Sequence, residues 1–375
     1  MKTNINNKQS IMKKYIIIAA AAIAAMACSK VETNDTPAKK VTFEVATYTS
    51  VQTKAHSLNS EDITSFNCIA FMKGEGVTDM QDFFGADGET ISYKTASNTW
   101  EPSHDYYWPK SENSYVNFFS WYDTGAGPTE VTNGTMTWTS RVIGAGDNIM
   151  YADPAWHFQE NTTNAQQYTT ADDDENDTIT VGVPTLFHHA LAQICVKAYA
   201  TKTSVANLCT WDIALTDASI TDVYTTGSLT LSATEPATTT LNTKGTWSGT
   251  PAWSVTGDKS TIDATDDLTV TATTKNGAQS LIAMQSVLPQ ATTAMNLTFN
   301  LDITTTYSGT PAVTHHEIIP ISIPIGTSAG FNTTPWALNT QYTYYVKVVP
   351  SENKVLFDPA VAEEWVGVDG GEKAI

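Results

Sequence analysis

Four groups of side chains in this 375-residue sequence could do chemistry: a cysteine near the start, two histidine doublets, a run of carboxylates and a crowd of aromatic rings. Cys28 follows Ala25-Met26-Ala27 and precedes Ser29 and Lys30. Small residues before a cysteine at the end of a leader read as a lipobox, where cleavage leaves a thiol to be acylated and a new amino group for further chains. Two or more acyl chains anchor stably, since each buried methylene contributes about 0.8 kcal/mol. His188-His189 and His315-His316 supply imidazoles, but neighbours on a strand point to opposite faces. Neither pair can hold a metal without partners from elsewhere, and one ring of each is expected in or near the core with the other in solvent. Asp172, Asp173, Asp174, Glu175 and Asp177 carry the oxygen ligands that calcium takes. Asp172, Asp174 and Asn176 fit the first three positions of the helical calcium loop, yet Asp177 stands where the turn needs glycine and Val183 where a bidentate acid belongs. The run reads as a solvated loop. Trp100, Tyr106, Tyr107, Trp108, Trp121, Tyr122 and Trp138 could stack on sugar rings if exposed, although such rings ordinarily fill the space between two sheets.

Beyond these groups the sequence holds no H-E-x-x-H, G-x-S-x-G, P-loop or G-x-G-x-x-G motif. Among 39 acids no pair can be singled out for glycosidic cleavage. The reading is of no enzyme, with no catalytic residue, metal or cofactor assigned. A formal charge of −19 argues against nucleic acid or an anionic membrane surface as partner, because both require clustered Lys and Arg. With Cys28 given to lipid, Cys68, Cys195 and Cys209 remain, an odd number that implies no disulfide framework. Buried free thiols are favoured, and a Cys195–Cys209 bridge across a hairpin is the alternative.

The elements that must position these groups are strands. Lys13 and Lys14, then an apolar run from Tyr15 to Ala25, make residues 1–28 a cleavable leader, with Met12 as an alternative start. That run is too short for a bilayer, which takes about 20 apolar residues. Residues 29–40 (SKVETNDTPAKK) have no apolar periodicity and read as a flexible tether. In VTFEVAT, Val41, Phe43 and Val45 face one way while Thr42, Glu44 and Ala46 face the other, the alternation of a half-buried strand. The pattern recurs at Asn67 to Lys73, Val116 to Tyr122, Ile194 to Tyr199, Trp211 to Leu215, Leu268 to Ala272, Leu297 to Ile303, Ile318 to Ile323 and Thr343 to Val349. Strand after strand, with turns between, predicts an all-β protein built of sandwiches. The acidic break at 171–178 and Pro184 divide the chain into domains at 41–184 and 185–375.

Several stretches, taken in order, resemble the fimbrillin-like family, the lipoprotein precursors of pilus subunits in Gram-negative anaerobes. They are the leader ending in Cys28, the Val41 to Thr47 strand with Lys54-Ala55 after it, Tyr107-Trp108-Pro109 leading into Val116 to Tyr122, and Asp147 to Ala152. Phe187 to Leu191, Leu288-Pro289-Gln290, Tyr342-Thr343-Tyr344, and Phe357-Asp358-Pro359 leading to Trp365 complete the set. The resemblance implies two transthyretin-like β-sandwich domains in tandem and a structural role in a surface fimbria. It also implies that a trypsin-like protease removes the first strand and that a strand from the C-terminal region of a neighbouring subunit fills the groove. Val41, Phe43 and Val45 are the side chains expected to leave it. Family members commonly carry an arginine after that strand, whereas Arg141 is the only arginine here, and Lys54 takes the corresponding place.

The expected protein is therefore a subunit or anchor of a fimbria, delivered to the outer membrane on its lipid and active in adhesion. Its partners are other subunits by strand exchange, the membrane through the anchor, and glycans or proteins of host or bacterial surfaces. The alternative is a monomeric glycan-binding lipoprotein that uses the aromatic-rich N-terminal half, with a glycoside hydrolase third.

Overall fold

The computed structural model describes residues 39–47, 56–57, 63–97, 99–111, 113–159, 182–201, 208–237, 240–309, 311–327, 335–352 and 354–365. Every element named below lies in the unit Lys40–Ile375. The first six strands are β1 (Phe43–Thr47), β2 (His56–Ser57), β3 (Ser65–Lys73), β4 (Gln81–Asp82), β5 (Glu89–Lys94) and β6 (Thr99–Pro102). There follow β7 (Tyr115–Asp123), β8 (Glu130–Thr132), β9 (Thr135–Val142), β10 (Ile149–Ala152) and β11 (Ala155–Phe158). The middle of the chain forms β12 (Val183–His189), β13 (Ala192–Ala200), β14 (Cys209–Ser232), β15 (Thr243–Lys244), β16 (Trp253–Asp263) and β17 (Leu268–Thr269). The rest forms β18 (Gln279–Val287), β19 (Asn296–Tyr307), β20 (Val313–Pro324), β21 (Thr340–Val349) and β22 (Lys354–Glu364). Two 3-10 turns, Lys275–Gly277 and Pro350–Glu352, are the only helical pieces among the described residues.

The protein is all-β, and its three sheets build sandwich layers. The first runs β15-β11-β7-β10-β12-β1-β6-β5-β3-β4, with β2 on β1, and β7 also pairs with β3. That extra pairing closes seven strands (β3, β7, β10, β12, β1, β6 and β5) into a ring. Inside it Phe66, Phe118, Phe187, Trp100 and Ile91 pack with the apolar row of β1. The face of β7 turned away from the ring is buried too. Phe119 and Trp121 join Trp138, Trp156, Trp247, Trp253 and Trp365 in a second core, drawn from both halves of the chain. Buried on both faces, β7 reads as a nearly continuous apolar run rather than a strict alternation.

A third, mostly aliphatic core lies between the sheet β18-β13-β21-β22 and the sheet β20-β19-β14-β9-β8. The 24-residue β14 spans two regions: Cys209 to Thr221 pairs with β19, and Thr226 to Ser232 pairs with β9. Its ladders slip between Thr216 and Ser219 and again between Ile220 and Val223. Asp217 and Asp222 take positive φ at those bulges, re-aiming the strand from one partner set to the next. The expected strand over Leu268 to Ala272 shrinks to β17. Thr271 and Ala272 N–H instead donate to Gln279 Oε1 at 2.7 and 3.0 Å, so a side chain takes the place of a neighbouring ladder.

Candidate functional site

The geometry around the first strand singles it out. β1 runs parallel to β12, with Phe43 opposite Val183 and Thr47 opposite Phe187. On its other edge it meets β6 at one pair, Phe43 with Trp100, and β2 at Ala46–Ser57 and Thr47–His56. Val41, Phe43 and Val45 are 1%, 3% and 4% exposed and face the interior of the ring. The Phe43 ring sits edge-on to Phe66 and Phe118, with centroids 5.7 and 5.6 Å away. Val41 N–H donates to Tyr106 O at 2.9 Å, and Val183 N–H donates to Thr42 O at 2.7 Å. Glu44, on the opposite face, is also buried. Burial lowers the Lys244 ammonium pKa, against the pull of the Glu44 and Asp153 carboxylates.

Gly182 and the 103–107 segment fix this seat. A Cβ at Gly182 would lie 2.7 Å from Phe43 C and 2.8 Å from Glu44 N, so only glycine lets β12 approach β1 this closely. The segment that receives Val41 is pinned by Glu89. Burial raises the pKa of the Glu89 carboxyl, but hydrogen bonds from Ser103, His104 and Tyr106 outweigh burial and hold it below the usual 4.5. Tyr106 OH donates to Glu89 Oε1 at 2.9 Å, and His104 Nδ1 lies 2.7 Å from the same oxygen. Ser103 Oγ approaches that same Nδ1, at 3.3 Å. A catalytic relay needs hydroxyl and carboxylate on opposite ring nitrogens, so these three residues make a clamp and not a triad.

β1 is thus a strand seated by its side chains that completes the seven-strand ring. The fimbrillin-like family profile matches residues 53–365. The chain belongs to the fimbrillin-like family. No curated protein matches it at a significant level. Among solved structures it is similar to a fimbrial protein from Bacteroides vulgatus, at 16% identity and a TM-score of 0.45, covering 88% of this chain and 100% of that one. It is also similar to a candidate cell adhesion protein from Bacteroides uniformis, at 16% identity and a TM-score of 0.41, covering 89% and 100%. Family membership supports a structural, non-enzymatic role in a fimbria at the cell surface.

The remaining sequence candidates of this fimbrillin-like chain are distributed unevenly. Cys28, Lys54 and the acidic run 172–177 lie outside the described residues. Cys68, Cys195 and Cys209 are free and buried, so Cys195 and Cys209 form no bridge. Burial pushes the Cys68 thiol up to about 12, which leaves it inert. Trp100, Trp108, Trp121 and Trp138 are buried and Tyr106 and Tyr122 half-buried, leaving Tyr107, 47% exposed, as the one open ring of the seven. Their crowding serves packing and offers no sugar-stacking platform. His189 is buried and His188 half-buried, as alternation requires. The other doublet departs from expectation: His315 and His316 are both exposed, because β20 is a sheet edge with solvent along most of its length. His316 Nε2 pairs with Asp302 Oδ1 at 2.7 Å. No cluster of three or more potential metal ligands occurs among the described residues. No helix among them is long and apolar enough to cross a membrane.

Gly182, Glu89, Ser103 and His104 carry the site's geometry without having been singled out for a role in sequence, and away from the site Gln290 holds another strand. Gln290 grips β14 at both backbone atoms of Tyr224, accepting from N–H and donating to O at 2.9 Å each. Gln290 left a trace in sequence within Leu288-Pro289-Gln290, and Tyr106 within the crowd of aromatic rings.

Proposed function

We propose that this protein is a structural subunit or anchor of a surface fimbria, exported as a lipoprotein acylated at Cys28 and assembled by donor-strand exchange at the seat of β1. The observation that carries this reading is the seat itself: five residues on a parallel ladder, three apolar side chains in the core, and one pair to β6. Each fully buried side chain of this kind contributes roughly 1.5–3 kcal/mol, so Val41, Phe43 and Val45 together contribute on the order of 5–9 kcal/mol. Whole domains are stable by only about 5–15 kcal/mol. A body that loses β1 must therefore refill the slot or lose much of its stability. A donated strand satisfies both the vacant apolar row and the unpaired backbone groups of β12.

Cleavage after Lys54, between β1 and β2 in sequence, would separate β1 and the lipid from the body while leaving β2 attached. An uncut chain would remain on the outer membrane as an anchor. The partners proposed are neighbouring subunits, the membrane through the lipid, and adhesion targets among surface glycans or proteins. The division into modules at 41–184 and 185–375, each transthyretin-like, is part of the same proposal, with β12 spanning the boundary and completing the ring of the first module. Limited trypsin on the leaderless protein, read by intact mass and size exclusion, tests it. Loss of the segment ending at Lys54 followed by a ladder of oligomers is expected, and Lys54→Ala should abolish both. Trimming without assembly, or equal assembly by Lys54→Ala, would remove the reading.

A further inference from the structure

The far end of β12 touches the far end of the described chain. His189, two residues past the last β1 partner on this strand, stacks on the Trp365 indole with centroids 4.0 Å apart and planes 8° from parallel. Trp365 directly follows β22, an edge strand whose only sheet partner among the described residues is β21, and is itself buried. The backbone repeats the connection: Trp365 N–H donates to Asn339 O at 2.9 Å, and Asn339 N–H donates to Leu191 O at 3.0 Å. His189 Nδ1 lies 3.1 Å from Asn148 Oδ1, while its Nε2 is buried without a hydrogen-bond partner among the described residues. A buried polar atom left unpaired is costly. The closed stack thus carries a penalty that opening relieves, a suitable property for a contact meant to be released.

We propose that the His189–Trp365 stack is a latch that keeps β22 in its own subunit, and that β12 links the state of the latch to occupancy of the β1 seat. This rests on the strand-exchange reading, in which the C-terminal region is donated. One continuous strand carries β1 on residues 183–187 and the latch on residue 189, so a shift of β12 when β1 leaves moves the imidazole from under the indole. Burial pushes the His189 pKa down to about 3, so the stacked ring is neutral across the physiological range.

Amide hydrogen exchange on the full chain tests the latch without requiring assembly. Trp365→Ala should speed exchange across Val355 to Glu364 about tenfold, the rate change that follows from a loss of ~1.4 kcal/mol, while β19 stays slow as an internal reference. Trp365→Phe, which keeps an aromatic lid, should recover most of the protection even if the alanine variant folds poorly. Gly182→Ala, which unseats β1 from a distance, should speed exchange in β22 as well as in β1. Unchanged β22 exchange in Trp365→Ala would overturn the latch, and faster β1 with unaltered β22 in Gly182→Ala would overturn the link. A working latch in a chain that never forms oligomers after trimming would sink strand exchange and leave the latch standing.

Discussion

β1 and β22 close the two ends of the described chain and are held in opposite ways. β1 has five residues, is paired on both edges, and sends Val41, Phe43 and Val45 of its strand segment into a ring of aromatic side chains. β22 has eleven residues, is paired on one edge, and its Val355, Leu356, Ala360 and Val361 are half-buried. The first strand is held by side chains in the core, and the last by a long backbone ladder with those apolar side chains half-buried. Removing a strand of the first kind leaves a hole that solvent cannot satisfy. Removing one of the second kind leaves an edge and a long free segment. In the strand exchange proposed above, a subunit built with one of each would carry both halves of the joint.

Substitutions can break or sharpen this contrast. Phe43→Ala is expected to have the largest effect, a loss of about 3–5 kcal/mol in chemical denaturation, because it empties a pocket walled by Phe66, Phe84 and Phe118. Gly182→Ala should cost about 1–3 kcal/mol by forcing β12 and β1 apart. Val355→Ala, on the half-buried β22, should cost about 1 kcal/mol or less. A Val355 effect as large as that of Phe43 would erase the distinction between the two strands. The smallest effect is conditional on pH. The Glu89 carboxyl is held below its unfolded value, so its stabilisation is present above about pH 4.5 and is lost as pH falls through the folded pKa. Glu89→Gln should flatten that part of the acid limb in a thermal-melt series against pH, and an unaltered limb would show that the clamp does not depend on the charge.

The alternation that made Val41, Phe43 and Val45 legible as one buried face is local, and period two needs nothing but the sequence. The neighbour that receives them is not local. β12 lies some 140 residues away and pairs in parallel, and no periodicity names a partner. Gly182 shows the same limit, since its requirement comes from the backbone of β1 rather than from any turn of its own. Trp211 to Leu215 was readable as a strand, yet β14 continues to Ser232 through four register shifts, of which only two are marked by aspartates of positive φ. The aromatic crowd of the N-terminal half was visible as composition, but whether rings face a core or solvent depends on sheets that assemble later. Exposure of both His315 and His316 likewise follows from the place of β20 at a sheet edge, a tertiary fact.

Hydrogen exchange at the Val183 to Phe187 amides tests the central claim most directly, comparing the intact chain, the trypsin-trimmed monomer and the trimmed oligomer. These amides lie against β1 in the intact subunit, so protection should be high there, lost in the trimmed monomer and restored in the oligomer. Oligomers in which Val183 to Phe187 stay as open to exchange as in the trimmed monomer would contradict the account, because the subunits would then be joined by something other than a strand in the seat of β1.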